Sequence, residues 1–217
     1  MTSYKTIKES GEAEYVIQRS RFLAHTAHVE NEAEARSFLA AQKKQYFDAR
    51  HNCSAWILGE TETGQQQKSN DDGEPGGTAG NPILETMKKN GLTNSIVVVT
   101  RYFGGIKLGA GGLIRAYSHA AMLGLEASGI AENRLFQRIR LQIDYAMLGT
   151  IDHFLMQKEV LVAERNYAED VILTLLLEPE NAVTILSNLT ELTAGKAKLQ
   201  DMGNEFRMIT TSRFSRQ

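Results

Sequence analysis

Ser95-Ile96-Val97-Val98-Val99-Thr100-Arg101, running directly into Tyr102-Phe103-Gly104-Gly105-Ile106-Lys107-Leu108-Gly109-Ala110-Gly111-Gly112-Leu113-Ile114-Arg115-Ala116-Tyr117, is the stretch on which the fold turns. Its first seven residues carry a β-branched run that suits a central strand. A long helix is expected to follow over 111–127, closed by Gly129. Glycine fills the join: ten of the eighteen glycines fall between positions 73 and 112. Because glycine is entropically costly to order, such density marks positive φ angles or backbone that something must approach closely.

A second glycine cluster lies upstream, Asp71-Asp72-Gly73-Glu74-Pro75-Gly76-Gly77-Thr78-Ala79-Gly80. It also leads into a helix. Asn81 can cap that helix, Pro82 suits its first position, and Lys88 and Lys89 occupy its last turn before Asn90-Gly91. Two α/β units therefore stand side by side, each with a glycine-rich lead-in.

Further out, residues 14–18 and 21–28 read as strands around a turn near Arg19-Ser20. Asn31 reads as an N-cap with Glu34 bonding back in capping-box fashion, ahead of a helix over Glu32–Gln45. Residues 53–58 form a short apolar run, expected to be a buried strand, and 60–70 a polar, mobile loop. The second half alternates more regularly: strand 139–144, helix 146–157, strands 160–166 and 171–177, a helix from Pro179 to Gly195, strand 196–201. That β-α-β-β-α-β order is the ferredoxin-like split βαβ pattern. The expected architecture is α+β, with domains over 1–130 and 131–203 and a polar tail over 204–217.

A chain of 217 residues accommodates one large or two small domains. Hydrophobic content of 42% and charged content of 23% describe an ordinary globular protein. No apolar run reaches membrane-helix length, and Met1-Thr2-Ser3-Tyr4-Lys5 lacks the layout of a signal peptide. The single Cys53 excludes an intramolecular disulfide and fits a reducing compartment, so the cytoplasm is the expected location, with no membrane partner. A net charge of −2 argues against a strongly basic nucleic-acid binder, though not against a local basic patch.

The second cluster follows a strand and opens a helix, the setting in which free N–H groups and the helix dipole favour anions. Neither a P-loop nor a dinucleotide fingerprint is present: no Gly-Lys-Ser/Thr triplet occurs, and Ile114 stands where the fingerprint needs glycine or alanine. Two readings stay open. The glycines serve tight turns and close packing, or they form an anion or nucleic-acid backbone site with Lys107 and Arg115 as charge partners. Asp71, Asp72 and Glu74 suit a turn or a helix start better than a cation site. Tyr102, beside Arg101, offers a ring for stacking or lines a groove. Cys53, ahead of an apolar stretch, reads as an inert buried thiol. The five histidines show no metal-ligand spacing. No cofactor, metal site or catalytic motif is readable.

The segments Asp71–Gly80 and Arg101–Tyr117, together with Arg50-His51-Asn52-Cys53-Ser54-Ala55, resemble the signature of the IMPACT family in its bacterial YigZ branch. The resemblance covers most of residues 1–130, and the second half is similar to the small C-terminal domain of the bacterial members. It implies an N-terminal domain of the ribosomal-protein-S5-domain-2-like superfold and a ferredoxin-like C-terminal domain. Together these are similar to the final two domains of translation elongation factor G, hence an expected contact with RNA or the ribosome. Eukaryotic members restrain a translation-initiation-factor kinase through an additional N-terminal RWD domain, and that partner is not carried over. The family brings no established enzymatic activity. The expectation is a non-enzymatic, translation-associated binding protein whose partner is RNA, the ribosome or a translation-related protein. Its candidate site is Asp71, Asp72, Glu74, Thr78, Arg101, Tyr102, Lys107 and Arg115. The alternative is an enzyme acting on a phosphorylated ligand with the same glycine-rich loops and acidic cluster.

Overall fold

The computed structural model describes residues 3–59 and 64–209. The elements follow as β1 (Ser3–Ile7), β2 (Gly11–Ile17), β3 (Ser20–His28), α1 (Glu32–Gln45), β4 (His51–Leu58), β5 (Gln66–Asn70), α2 (Gly80–Lys89), β6 (Ser95–Tyr102) and α3 (Gly109–Ser128). The second half continues with β7 (Ile130–Ile143), α4 (Leu148–Gln157), β8 (Leu161–Tyr167), β9 (Val171–Leu177), α5 (Pro179–Leu192) and β10 (Lys198–Ile209). The α+β class is the one expected. Two compact units result, one of residues 3–133 with the last described residues 208 and 209, the other of residues 134–207. The division falls inside β7, between Asn133 and Arg134.

In the first unit an antiparallel sheet runs β2-β3-β6-β4-β5, with the β-branched β6 at its centre. Alternation along the strands sorts the side chains to two faces. Phe22, Ala24, Cys53, Ala55, Val97 and Val99 pack with α2 and α3 in the larger core. Trp56, Leu58, Ile96 and Val98 pack with Ala35, Phe38 and Leu39 of α1 on the opposite face. Asn31 caps α1 by accepting from Glu34 N at 2.9 Å. The Glu34 carboxylate reaches Glu30 N rather than Asn31 N, so the capping box is shifted by one residue. Between β2 and β3 the turn is Gln18-Arg19, both with positive φ, one residue earlier than expected.

The structure departs from the sequence pattern at three places. Residues 66–70, placed in a mobile loop, form edge strand β5 paired with β4 from Leu58↔Gln66 to Ser54↔Asn70; residues 60–63 of that loop lie outside the described residues. All five side chains of β5 are exposed, so no apolar alternation betrays the strand, and the β4 backbone recruits it. Asn81 does not cap α2; it lies inside the helix, and Asp71 supplies the cap instead. Strand β10 does not stop at residue 201 but runs to Ile209, into the expected polar tail; residues 210–217 lie outside the described residues.

In the second unit β7, β9 and β8 are neighbours, with β10 on the other side of β7. Order β10-β7-β9-β8 around two helices is the arrangement the split βαβ pattern specifies. Ile139, Leu141, Leu173 and Leu175 close its core against Ile151 and Leu155 of α4 and Ile185 and Leu189 of α5. Among the described residues no helix is long and apolar enough to cross a membrane.

Candidate functional site

Asp71 folds the first glycine cluster around itself. Its carboxylate accepts from Gly77 N at 2.8 Å, Ala79 N at 3.0 Å and Gly80 N at 2.8 Å. The N-terminus of α2, with its unpaired N–H groups and positive dipole end, is therefore filled by an anion from the chain itself. Burial pushes the Asp71 carboxyl up, but the three N–H donors outweigh it and hold the group below the usual carboxylate range. A folded-state value below the unfolded one makes the charged form stabilising above the unfolded value, and that contribution is lost as pH falls through the folded value. Asp71→Ala is accordingly expected to lower stability at neutral pH by about 1–2 kcal/mol, the worth of a helix cap, and by less below pH ~4. Urea unfolding of both proteins at pH 7 and pH 3 measures this; an equal loss at both values overturns the assignment.

Its neighbours are equally engaged. Asp72 takes a positive φ, accepts from Asn52 N at 2.7 Å and pairs with Lys43 Nζ at 2.6 Å. The Thr78 hydroxyl donates to the Pro75 carbonyl at 2.7 Å. Glu74 turns inward, where its Oε1 pairs with Arg101 Nη1 at 2.6 Å and accepts from the Tyr117 hydroxyl at 2.8 Å. Both side chains of the ion pair are buried, at 7% exposure for Arg101 and 4% for Glu74. The Arg101 guanidinium also lies 5.4 Å from the Phe22 ring and 5.6 Å from Phe103. Cys53 Sγ sits 3.0 Å from the Asp71 carbonyl and 3.3 Å from the Tyr117 hydroxyl, and burial pushes its thiol up to about 12. Burial likewise raises the Tyr117 hydroxyl. At neutral pH the thiol stays protonated, unfit as a nucleophile.

Tyr102 is half-buried and donates to Asp48 at 2.7 Å. Six of the eight candidate residues thus serve the chain's own architecture. Lys107 and Arg115 differ: both are exposed, and among the described residues neither has an ion-pair partner. They flank the start of α3, whose N-cap residue is Leu108 and which no side chain caps. Phe103 and Ile106 stand exposed in the same loop at 53% and 43%. So the two glycine-rich helix starts differ in kind, α2 filled internally and α3 open between two free cations.

Sequence reasoning missed the surface beside this open end. A groove of about 820 Å³ borders α3, lined on one side by Tyr15 and Ile17 of β2 and on the other by Lys89 and Asn90 at the end of α2. The alternation of β2 was the available signal: Glu12 and Glu14 take one face, Ala13, Tyr15 and Ile17 the other. Among the described residues no cluster of three or more His, Cys, Asp and Glu could hold a metal ion.

The model of the Impact N-terminal domain matches residues 18–125, and that of a Domain of unknown function (DUF1949) matches residues 141–196. The chain is 46% identical over 199 residues to "IMPACT family member YvyE" of Bacillus subtilis, covering 92% of this chain and 91% of that one. It is 32% identical over 183 residues to "IMPACT family member YigZ" of Escherichia coli, covering 84% and 90%. A solved structure titled "Crystal structure of an hypothetical protein" superposes with a TM-score of 0.60 at 31% identity, covering 92% of this chain and 97% of that one.

Proposed function

This chain belongs to the IMPACT family, and from that premise we propose that it is a non-enzymatic, translation-associated binding protein that contacts RNA or the ribosome through the start of α3. One observation carries the reading. The first turn of α3 presents uncapped N–H groups, and Lys107 and Arg115 stand beside it without ion-pair partners among the described residues. Uncapped amides, a positive dipole end and two free cations together favour phosphate oxygens. The acidic cluster gives an enzymatic reading little to work with, because Asp71, Asp72 and Glu74 each hold the chain's own amides or cations. Cytoplasmic location belongs to the same proposal, since RNA and ribosomes are met there.

Cosedimentation with ribosomes tests it. Wild-type protein is expected to pellet at low salt and to release as salt rises. With two or three phosphates neutralised, the log–log salt slope should be shallow, on the order of −1.5 to −2.5. Lys107→Gln combined with Arg115→Gln should lose most of the pelleting at an unchanged melting temperature. Equal pelleting of both proteins removes the α3 start as the contact, and pelleting by neither removes the ribosome as a partner.

A further inference from the structure

The groove beside α3 has a one-sided chemistry. It follows α3 from Leu108 to Met122, about 21 Å of helix at 1.5 Å per residue. Lys89, Arg115 and the exposed His119 line it, and no aspartate or glutamate does. Glu85, one turn before Lys89 on α2, pairs with Lys88 at 3.1 Å, and the other nearby carboxylates are turned elsewhere. Glu14 pairs with Arg21 and Glu12 faces Tyr46 and His25 across the opposite side of β2, while the one acidic residue of α3, Glu126, lies beyond the groove. In a chain of net charge −2 this is a segregated basic strip. Tyr15 packs edge-on against His119 with ring centroids 4.5 Å apart, so that imidazole is held in place. Ile17, Ile114 and Met122 add apolar surface between the cations.

We infer that this groove takes a single strand of RNA. The inference rests on the RNA reading of the α3 start and extends it along the helix to Lys89, Tyr15 and His119. Phosphates would lie against the open α3 start, Arg115 and Lys89. Unstacked bases would lie on the held imidazole, Tyr15 and the apolar residues, since rings and apolar side chains accept the π-face of any base. At about 21 Å the strip holds on the order of four nucleotides, the lower end for single-strand sites. Duplex RNA is recognised across about 16 base pairs of minor groove and backbone, a span this strip does not offer. An acidic protein segment could satisfy the cations but would leave the held rings unused.

Fluorescence anisotropy on the full chain, with a labelled oligouridylate of about ten nucleotides and a duplex of equal length, tests this. The single strand should bind about tenfold more tightly than the duplex, and Lys89→Gln with His119→Ala should weaken it about tenfold, from one lost phosphate contact and one lost stack. Both side chains are exposed, so the variant's melting curve should match wild type, which excludes unfolding as the cause. Equal affinity for duplex and single strand, or wild-type affinity in the variant, overturns the groove assignment. Ribosome pelleting sensitive to Lys107→Gln alone would then leave the α3 start standing by itself. Binding of polyglutamate in place of the oligonucleotide, abolished by the same variant, also overturns it and identifies an acidic protein partner. Oligouridylate binding with no ribosome pelleting by wild type removes the ribosome and leaves the groove.

Discussion

Glu74→Ala should be among the most damaging single substitutions in this protein, lowering stability by about 3–5 kcal/mol, because it leaves the Arg101 guanidinium charged and buried without its counter-ion. At 7% exposure Arg101 has little water to turn to, and its Nε already lacks a hydrogen-bond partner. The Phe22 and Phe103 rings offer cation–π contact, worth roughly 2 kcal/mol when desolvated, which does not replace a carboxylate. The Tyr117 hydroxyl also loses its acceptor. Guanidinium unfolding of Glu74→Ala, Arg101→Met and the double variant reads this directly. The double variant should be more stable than Glu74→Ala, since removing both charges avoids burying one alone. A loss under about 1 kcal/mol in Glu74→Ala would mean that water reaches the guanidinium and the pair is not a closed one.

Gly104→Ala is expected to be nearly as harmful, at about 3 kcal/mol, through overlap that no rotamer relieves. A Cβ at Gly104 falls inside the backbone of Arg19 and Ser20, at the turn between β2 and β3, while Gly104 N donates to Ser20 Oγ at 3.2 Å. The glycine lets the loop after β6 lie against that turn. Gly111→Ala is the contrasting case. A methyl group there meets nothing nearer than the Arg115 guanidinium at 3.7 Å, within a helix where alanine is preferred. Its expected effect is a gain of up to about 1 kcal/mol. Thermal melts of the two variants should shift in opposite directions; parallel losses would mean that the cluster is constrained throughout.

These contrasts mark where the sequence stops being legible. Helix α1 is readable because its cap is local: Asn31 and Glu34 lie three residues apart and their bond needs nothing else. Strand β6 is readable because Val97, Val98 and Val99 fit a buried strand on either face. The end of β7 is readable because Ile139, Leu141 and Ile143 alternate into the core. Strand β5 is not, since it owes its form to β4 rather than to any pattern of its own. At the site, a charged residue in a glycine-rich loop reads as available until its partner is known. Arg101 finds Glu74 from 27 positions away, and Asp71 reaches forward to the helix start that Asn81 is near enough to cap, so neither pairing is encoded locally. Lys107 and Arg115 stay exposed because, among the described residues, nothing acidic folds back to meet them. The groove was hidden because Tyr15, Lys89 and His119 come from three separate elements.

The lone thiol has a kinetic consequence. Cys53 is sealed beneath the Asp71 carbonyl and the Tyr117 hydroxyl. A thiol reagent can therefore modify it only while the 71–80 loop swings away or the whole unit unfolds. Those two routes respond differently to denaturant, since local opening exposes little surface and global unfolding exposes much. The single cysteine is thus a built-in clock for the breathing of the acidic loop, readable without an added label and without interference from any other sulfhydryl.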